Sequence, residues 1–253
     1  MATQYLKPDE ARSLPGLRLA ATTHVPAPYS MSARAILDHH NVAHRLVEQT
    51  GGGENEALVA WTGHRNAPVA VYENEAPRVG WLDILNLAER LGSGTTLFPE
   101  DIDERMQMIG MINELIGENG WVWNMRLLML GLGGPERSAQ AAEKNPMYRD
   151  YGYSEQAKAE ALVKARSVLV RFAAYMQAGG GRYLSGSRLS AIDLYWVYFS
   201  NLLQTLPEKD CPMPGGLRRS YDTAADMLGP YAPILIEQRD FIITEHIALP
   251  MAF

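Results

Sequence analysis

The chain has 253 residues, 47% of them hydrophobic and 21% charged, with a formal net charge of −6. That is a globular composition, large enough for one big domain or two smaller ones. Its acidic balance argues against a nucleic-acid binder, which needs a basic face. The single cysteine, Cys211, excludes an internal disulfide framework and a thiolate-rich metal site. No stretch reaches the roughly 18 uninterrupted apolar residues of a membrane span, and Met-Ala-Thr-Gln-Tyr-Leu-Lys-Pro at the start has no apolar signal-peptide core, so a soluble cytoplasmic protein without a membrane partner is expected.

Leu17–Thr23 is a short apolar run ending in threonines, expected as a buried strand, and Ser30 to His40 carries Ala33, Ile36 and Leu37 at helical spacing. Ala43–Gln49 and Pro68–Tyr72 read as two more strands, residues 74–79 as a degraded edge strand, and Leu82–Leu91 as helix. From Glu100 onward the chain reads as nearly all helical. Asp101 with Glu104 makes a capping box before Met108, Ile109, Met111, Ile112 and Leu115, and Ser154 caps an Ala-rich run to Gln177. Ser190-Ala-Ile-Asp193 is the strongest helix start: Ser190 as N-cap, Asp193 reaching back to its amide, Leu189 and Leu194 as a hydrophobic staple. Two glycine runs, 51–53 and 179–181, are loop punctuation, since neither leads into the Lys-Ser/Thr of a phosphate loop. Gly92-Ser93-Gly94 through Phe98-Pro99 marks a boundary. The expected division is therefore 1–92, a linker 93–99, and a helical domain 100–253.

Several local patterns occur together. Ala27-Pro28-Tyr29-Ser30-Met31-Ser32-Ala33-Arg34 precedes Asn66-Ala67-Pro68-Val69, then Leu87-Ala88-Glu89-Arg90-Leu91 with a Leu-Phe-Pro linker, then the Ser190/Asp193 box. In this order and at these distances they resemble the glutathione transferase family. The resemblance implies an α/β plus all-α architecture, a thioredoxin-like N-terminal domain followed by an all-helical domain lining a hydrophobic pocket. It also implies glutathione as cosubstrate, a two-fold homodimer and a role in detoxification.

Glutathione chemistry needs a thiolate, and an unperturbed thiol pKa of about 8.5 must be lowered by a hydroxyl hydrogen bond, a helix N-terminus or both. The family's usual serine or cysteine before the proline is replaced here by Ala27. Ser30 becomes the first candidate for the catalytic hydroxyl, with simple N-capping as its other reading; Tyr29 and Thr23 are nearby donors. The resemblance assigns Asn66, Ala67 and a cis Pro68 to the cysteinyl part of glutathione. It puts Val79-Gly80 where a Glu-Ser or Asp-Ser pair usually binds the γ-glutamyl end, so amides around Gly80 and Trp81, with Asp83 and charge from Arg65 or Arg78, are the substitutes.

Substrate contacts are expected from His24 and from aromatic residues of the helical half. Trp121, Trp123 and Asn124, with Met125, Arg126 and Met129, are placed toward the far end of its first long helix; Met147, Tyr148, Tyr151 and Tyr153 lie in the connection to the next. A Trp- and Tyr-lined pocket suits a bulky aromatic or polycyclic molecule. His40 and His44 have i, i+4 spacing, but Asn41-Val42 ends the helix between them, so no metal site is expected. No Gly-Xaa-Ser-Xaa-Gly elbow for a hydrolase is present. Two readings remain open: a glutathione-dependent enzyme for conjugation, isomerisation or ether cleavage of a small hydrophobic electrophile, and a ligand-binding or scaffold protein of the same fold without that activity.

Overall fold

A three-stranded sheet anchors the first part of the chain in the computed structural model, which describes residues 4–180, 182–251 and 253. The first three residues, Gly181 of the second glycine run and Ala252 lie outside the described residues. Helix α1 (Pro8–Arg12) leads into β1 (Leu17–Thr22), α2 (Pro28–His39), β2 (His44–Gln49), α3 (Glu56–Thr62), β3 (Val69–Tyr72) and α4 (Trp81–Leu91). The sheet order is β2-β1-β3, with β1 parallel to β2 from Leu17↔His44 to Thr22↔Gln49 and antiparallel to β3. The degraded edge strand is a single bridge: Ala70 and Arg78 exchange two backbone hydrogen bonds, at 2.9 and 2.8 Å.

Central position explains the composition of β1, whose first five residues are all buried. One face presents Ala20 beside Val47, Leu58, Val69, Val71 and Ala11, so α1 and α3 cover that side. The other face receives α2, which also packs on α4. Arg18 is the polar exception in β1, only 3% exposed. It donates to the carbonyls of Gly16 (2.7 Å) and Glu73 (2.9 Å) and lies over the Trp61 ring at 5.5 Å, so its charge is held by backbone dipoles and an aromatic face.

Two elements correct the sequence expectation. Helix α3 stands between β2 and β3 where two consecutive strands were expected; its seven residues, about two turns, fall short of the roughly 11 to 18 over which helical periodicity shows. Helix α2 begins at Pro28 rather than Ser30, because proline suits the first helical position, where no amide is needed. Ala27 is therefore its N-cap, and Ser30 does not cap it.

The helical part comprises α5 (Ile102–Ile116), α6 (Trp121–Leu130), α7 (Pro135–Ala142), α8 (Met147–Asp150), α9 (Glu155–Ala178), α10 (Ala191–Phe199) with a 3-10 turn Ser200–Leu202, α11 (Gly215–Leu228) and α12 (Ile234–His246). By contacts the chain falls into two compact units: residues 1–97 with 208–213 and 249–253, and residues 98–207 with 214–248. Asp101 accepts the amides of Asp103 and Glu104, both at 2.9 Å, and Ser154 accepts that of Ala157 at 3.0 Å.

All nine residues of α10 are buried. Trp196 donates to the Leu235 carbonyl at 2.9 Å and packs among Trp121 and Phe172. The start of α10 is a closed polar knot. The carboxylate of Asp193 accepts the amides of Leu184 (2.8 Å) and Ser190 (2.9 Å), the Ser190 hydroxyl (2.8 Å) and the Gln238 amide (2.8 Å). Burial pushes its carboxyl up to about 7, against those four donors, which favour the charged form.

Candidate functional site

The first turn of α2 faces the ends of β1 and β2. Ser30, third residue of the helix and 4% exposed, accepts the Thr22 amide on Oγ at 3.0 Å. Among the described residues its own O–H has one acceptor, Thr22 Oγ1, at 3.5 Å. Thr22 in turn donates to Gln49 Oε1 at 2.7 Å, and Gln49 Nε2 donates to the carbonyls of Thr50 (2.9 Å) and Arg65 (3.2 Å). Asn55 binds the same loop, donating to the carbonyls of Thr50, Gly53 and Arg65 and accepting the Thr50 amide. Hydrogen bonds thus run from the α2 turn to Arg65, just before Asn66 and the cis Ala67–Pro68 bond.

Of the other residues expected here, Thr23 is half-buried and hangs on the Gln49 carbonyl through its amide at 3.0 Å. Tyr29 is half-buried, and His24 is exposed with φ of 65°. Helix α4 starts with Gly80 as N-cap and no side-chain capping bond. Asp83 folds back over that start: a Cβ on Gly80 would stand 2.8 Å from its Oδ2, so the helix already carries a carboxylate there. Arg78 is committed elsewhere, donating to the Ala76 carbonyl (2.6 Å) and to Glu75 (2.8 Å), whose carboxyl is held low first by the Arg90 hydrogen bond.

The aromatic residues of the helical unit divide. The first long helix ends at Ile116, so Trp121, Trp123 and Asn124 open α6 instead of lying at the far end of α5. Gly117 and Gly120 make the break, since a Cβ on either would come within 2.6 and 2.7 Å of the carbonyls of Asn113 and Glu114. Trp121 is fully buried against Trp196, and its indole N–H meets no acceptor among the described residues. Asn124, 1% exposed, spends its amide on the Asn119 and Gly120 carbonyls at 2.7 Å. Tyr148 is buried and donates to the Leu130 carbonyl at 2.8 Å. All three belong to the fabric of the unit. Trp123 and Tyr151 are half-buried with ring centroids 4.5 Å apart, so they keep aromatic surface toward solvent. Among the described residues no group of three or more His, Cys, Asp or Glu is placed to hold a metal ion.

Solved structures share this arrangement along almost the whole chain. A glutathione transferase family member from Pseudomonas fluorescens, solved with two glutathione bound, has a TM-score of 0.61 at 10% identity, covering 94% of each chain. A glutathione S-transferase from Methylobacterium radiotolerans in complex with glutathione sulfonate gives 0.58 at 16% identity, over 88% of this chain and 93% of that one. The chain has the glutathione transferase fold. The beta-etherase LigF from Sphingobium is a further match, 0.58 at 14% identity over 89% and 99%. No family model matches the sequence, and no curated protein does.

Within the glutathione transferase fold, the structure brings Ser30, Thr23, Asn66, Ala67 and Pro68 into the hydrogen-bonded region around the strand ends, and puts Gly80, Trp81 and Asp83 at the start of α4. Sequence reasoning passed over Thr22 and Gln49. Their signal was faint: each is the polar last residue of its strand, and they are paired in register, which the sequence does not print.

Proposed function

We propose that this protein is a glutathione-dependent enzyme acting on a hydrophobic electrophile, by conjugation, isomerisation or ether cleavage, with the glutathione thiolate held at the first turn of α2. The observation that carries this reading is the state of Ser30. Its oxygen accepts the Thr22 amide while its proton has, among the described residues, one long acceptor, so the hydroxyl is set to donate. A donated hydrogen bond favours a thiolate over a thiol, and the first-turn amides of a helix whose N-cap is alanine add the positive end of its dipole. Ala67 and Asn66 serve the cysteinyl part in this reading. Asp83, with Gly80 and Trp81, suits the α-amino group better than a ligand carboxylate, because the helix start already holds a negative charge. For an aromatic substrate the half-buried Trp123–Tyr151 pair is the better candidate than buried Trp121, Asn124 or Tyr148.

A second reading, a ligand-binding protein of the transferase fold without the activity, is favoured by the burial of Ser30 and by Ala27 and Gly80 at the usual side-chain positions. Thermal melting with millimolar glutathione separates the two, since a ligand of the native state raises the melting temperature. No shift on titration favours the second reading. With binding established, Ser30→Ala is expected to raise the pKa of the bound thiol, read from thiolate ultraviolet absorbance; an unchanged pKa removes Ser30 from the mechanism.

The same reading includes a homodimer. Its support is a pair of exposed valines on one face of α9, Val163 and Val170, seven residues apart with Arg166 and Ser167 between them, 66% and 72% exposed. Val170→Glu is expected to shift sedimentation toward the monomer, and an unchanged sedimentation profile excludes that face.

A further inference from the structure

We infer that Gln49 is a positioning residue for the thiol, fixing the donor direction of the Ser30–Thr22 hydroxyl chain and tying that chain to the loop that leads into Asn66-Ala67-Pro68. The inference rests on the glutathione reading and deepens it.

The orientation of the Gln49 amide is forced by its surroundings. It is 3% exposed, with two backbone carbonyls, Thr50 at 2.9 Å and Arg65 at 3.2 Å, on one side. Carbonyls only accept, so Nε2 faces them and Oε1 faces Thr22. The amide oxygen has no proton to give; the 2.7 Å contact is therefore Thr22 donating. Its hydroxyl proton spent, Thr22 meets Ser30 with lone pairs only and cannot donate to it. Ser30 accepts from the Thr22 amide and is left as a donor. One buried amide thus sets the polarity of two hydroxyls, and the register pairing Thr22↔Gln49 in the β1/β2 ladder brings the partners together across 27 residues.

The other end of the side chain acts on position. Arg65 precedes Asn66 directly, so the Gln49 bond to its carbonyl holds the loop at the root of the segment proposed to pair with glutathione. Asn55 binds that carbonyl too, at 3.2 Å, with the Thr50 and Gly53 carbonyls; among the described residues its hydrogen bonds stay within that loop. Both residues anchor the loop. Gln49 is distinguished by also touching the hydroxyl chain.

The difference gives the test. Glutathione affinity by calorimetry and bound-thiol pKa by thiolate absorbance are measured for the wild type, Gln49→Met, Thr22→Val and Asn55→Ala. Gln49→Met, similar in length and without polar atoms, is expected to weaken affinity about tenfold, the size of one or two lost hydrogen bonds, and to raise the bound-thiol pKa by about one unit. Thr22→Val, which removes the middle hydroxyl of the chain, is expected to raise the pKa as well and serves in place of Gln49→Met should that variant not fold. Asn55→Ala is expected to lower affinity and leave the pKa where it was. Wild-type binding with the pKa unmoved in Gln49→Met, or in Thr22→Val where it stands in, overturns this inference alone. Equal pKa shifts in the Gln49 and Asn55 variants would show that loop position sets the thiol's acidity and would also overturn it. No binding by the wild type overturns the glutathione reading and this inference together.

Discussion

Two kinds of helix start divide this molecule. At α10 the first turn is closed: Ser190 and Asp193 satisfy each other and the neighbouring amides, and every residue of the knot is buried. Helices α5 and α9 of the same unit also have side-chain caps, from Asp101 and Ser154. In the sheet-containing unit α2 and α4 begin at Ala27 and Gly80, with no side-chain capping bond at either. A side-chain cap stabilises by about 1 kcal/mol, so leaving two helix starts without one sacrifices stability. The caps of α5, α9 and α10 close those starts within the helical unit, where α6, α7, α8, α11 and α12 begin without one. Of the two uncapped starts in the other unit, that of α4 is covered by Asp83, and that of α2 leaves its first-turn amides and helix dipole beside the Ser30 and Thr22 hydroxyls.

The contrast is tested most severely at its closed end. Asp193→Ala is expected to destabilise the protein by roughly 3 to 5 kcal/mol in urea unfolding, because it removes the cap and strands the buried donors of Leu184, Ser190 and Gln238. A loss below about 1 kcal/mol would mean that the knot is incidental to the fold. The charge at this position carries its own signature. The folded carboxyl lies at about 7, above its ordinary 3.8, so between those values the folded state keeps a proton that the unfolded chain has released. That contribution is therefore greatest on the acid side, declines as pH rises through the window, and is constant above about 7. The slope has an upper limit of about 1.4 kcal/mol per pH unit. Asp193→Asn has no such proton to hold, so the stability of the wild type relative to this variant should fall between pH 5 and pH 7; a pH-independent difference would place the folded pKa near its ordinary value.

The same contrast governs what the sequence disclosed. The α10 start was legible because a capping box and its staple lie within six residues and obey local rules. The cap of α9 was legible on similar grounds, whereas the degraded edge strand, a single Ala70–Arg78 bridge, had no β-branched or aromatic signal of its own. Helix α3 was not, being a seven-residue element behind a glycine-rich loop. The break before α6 was written as Gly117-Glu-Asn-Gly120 and passed over, which misplaced Trp121, Trp123 and Asn124 along the first long helix. Their burial was a separate matter, decided by packing: Trp121 fills the space against Trp196, a contact spanning the unit. The Ser30–Thr22–Gln49 chain was out of reach for a third reason. Each link depends on strand register and on where α2 returns to the sheet, information that no short window contains. Sequence thus revealed the parts of the site lying on one segment and concealed those made by pairing distant ones.

The smallest expected effect is the one that probes the open end directly. Ala27 has the extended backbone of an N-cap, φ −76° and ψ 107°, and its carbonyl accepts the Met31 amide, but it has no side-chain oxygen to accept the amides of the first turn. If α2 is merely a helix with a poor cap, Ala27→Ser should stabilise the protein by about 1 kcal/mol and leave glutathione binding unchanged. If the turn is kept open for a ligand, the new hydroxyl competes for the same amides, and the gain in stability should come with a loss of affinity. We expect the second outcome: a higher urea midpoint without glutathione, and a smaller shift of that midpoint when glutathione is added. A gain in stability with the glutathione-induced shift undiminished would show that the α2 turn and the ligand do not share those amides, removing the physical basis for setting α2 apart from α10.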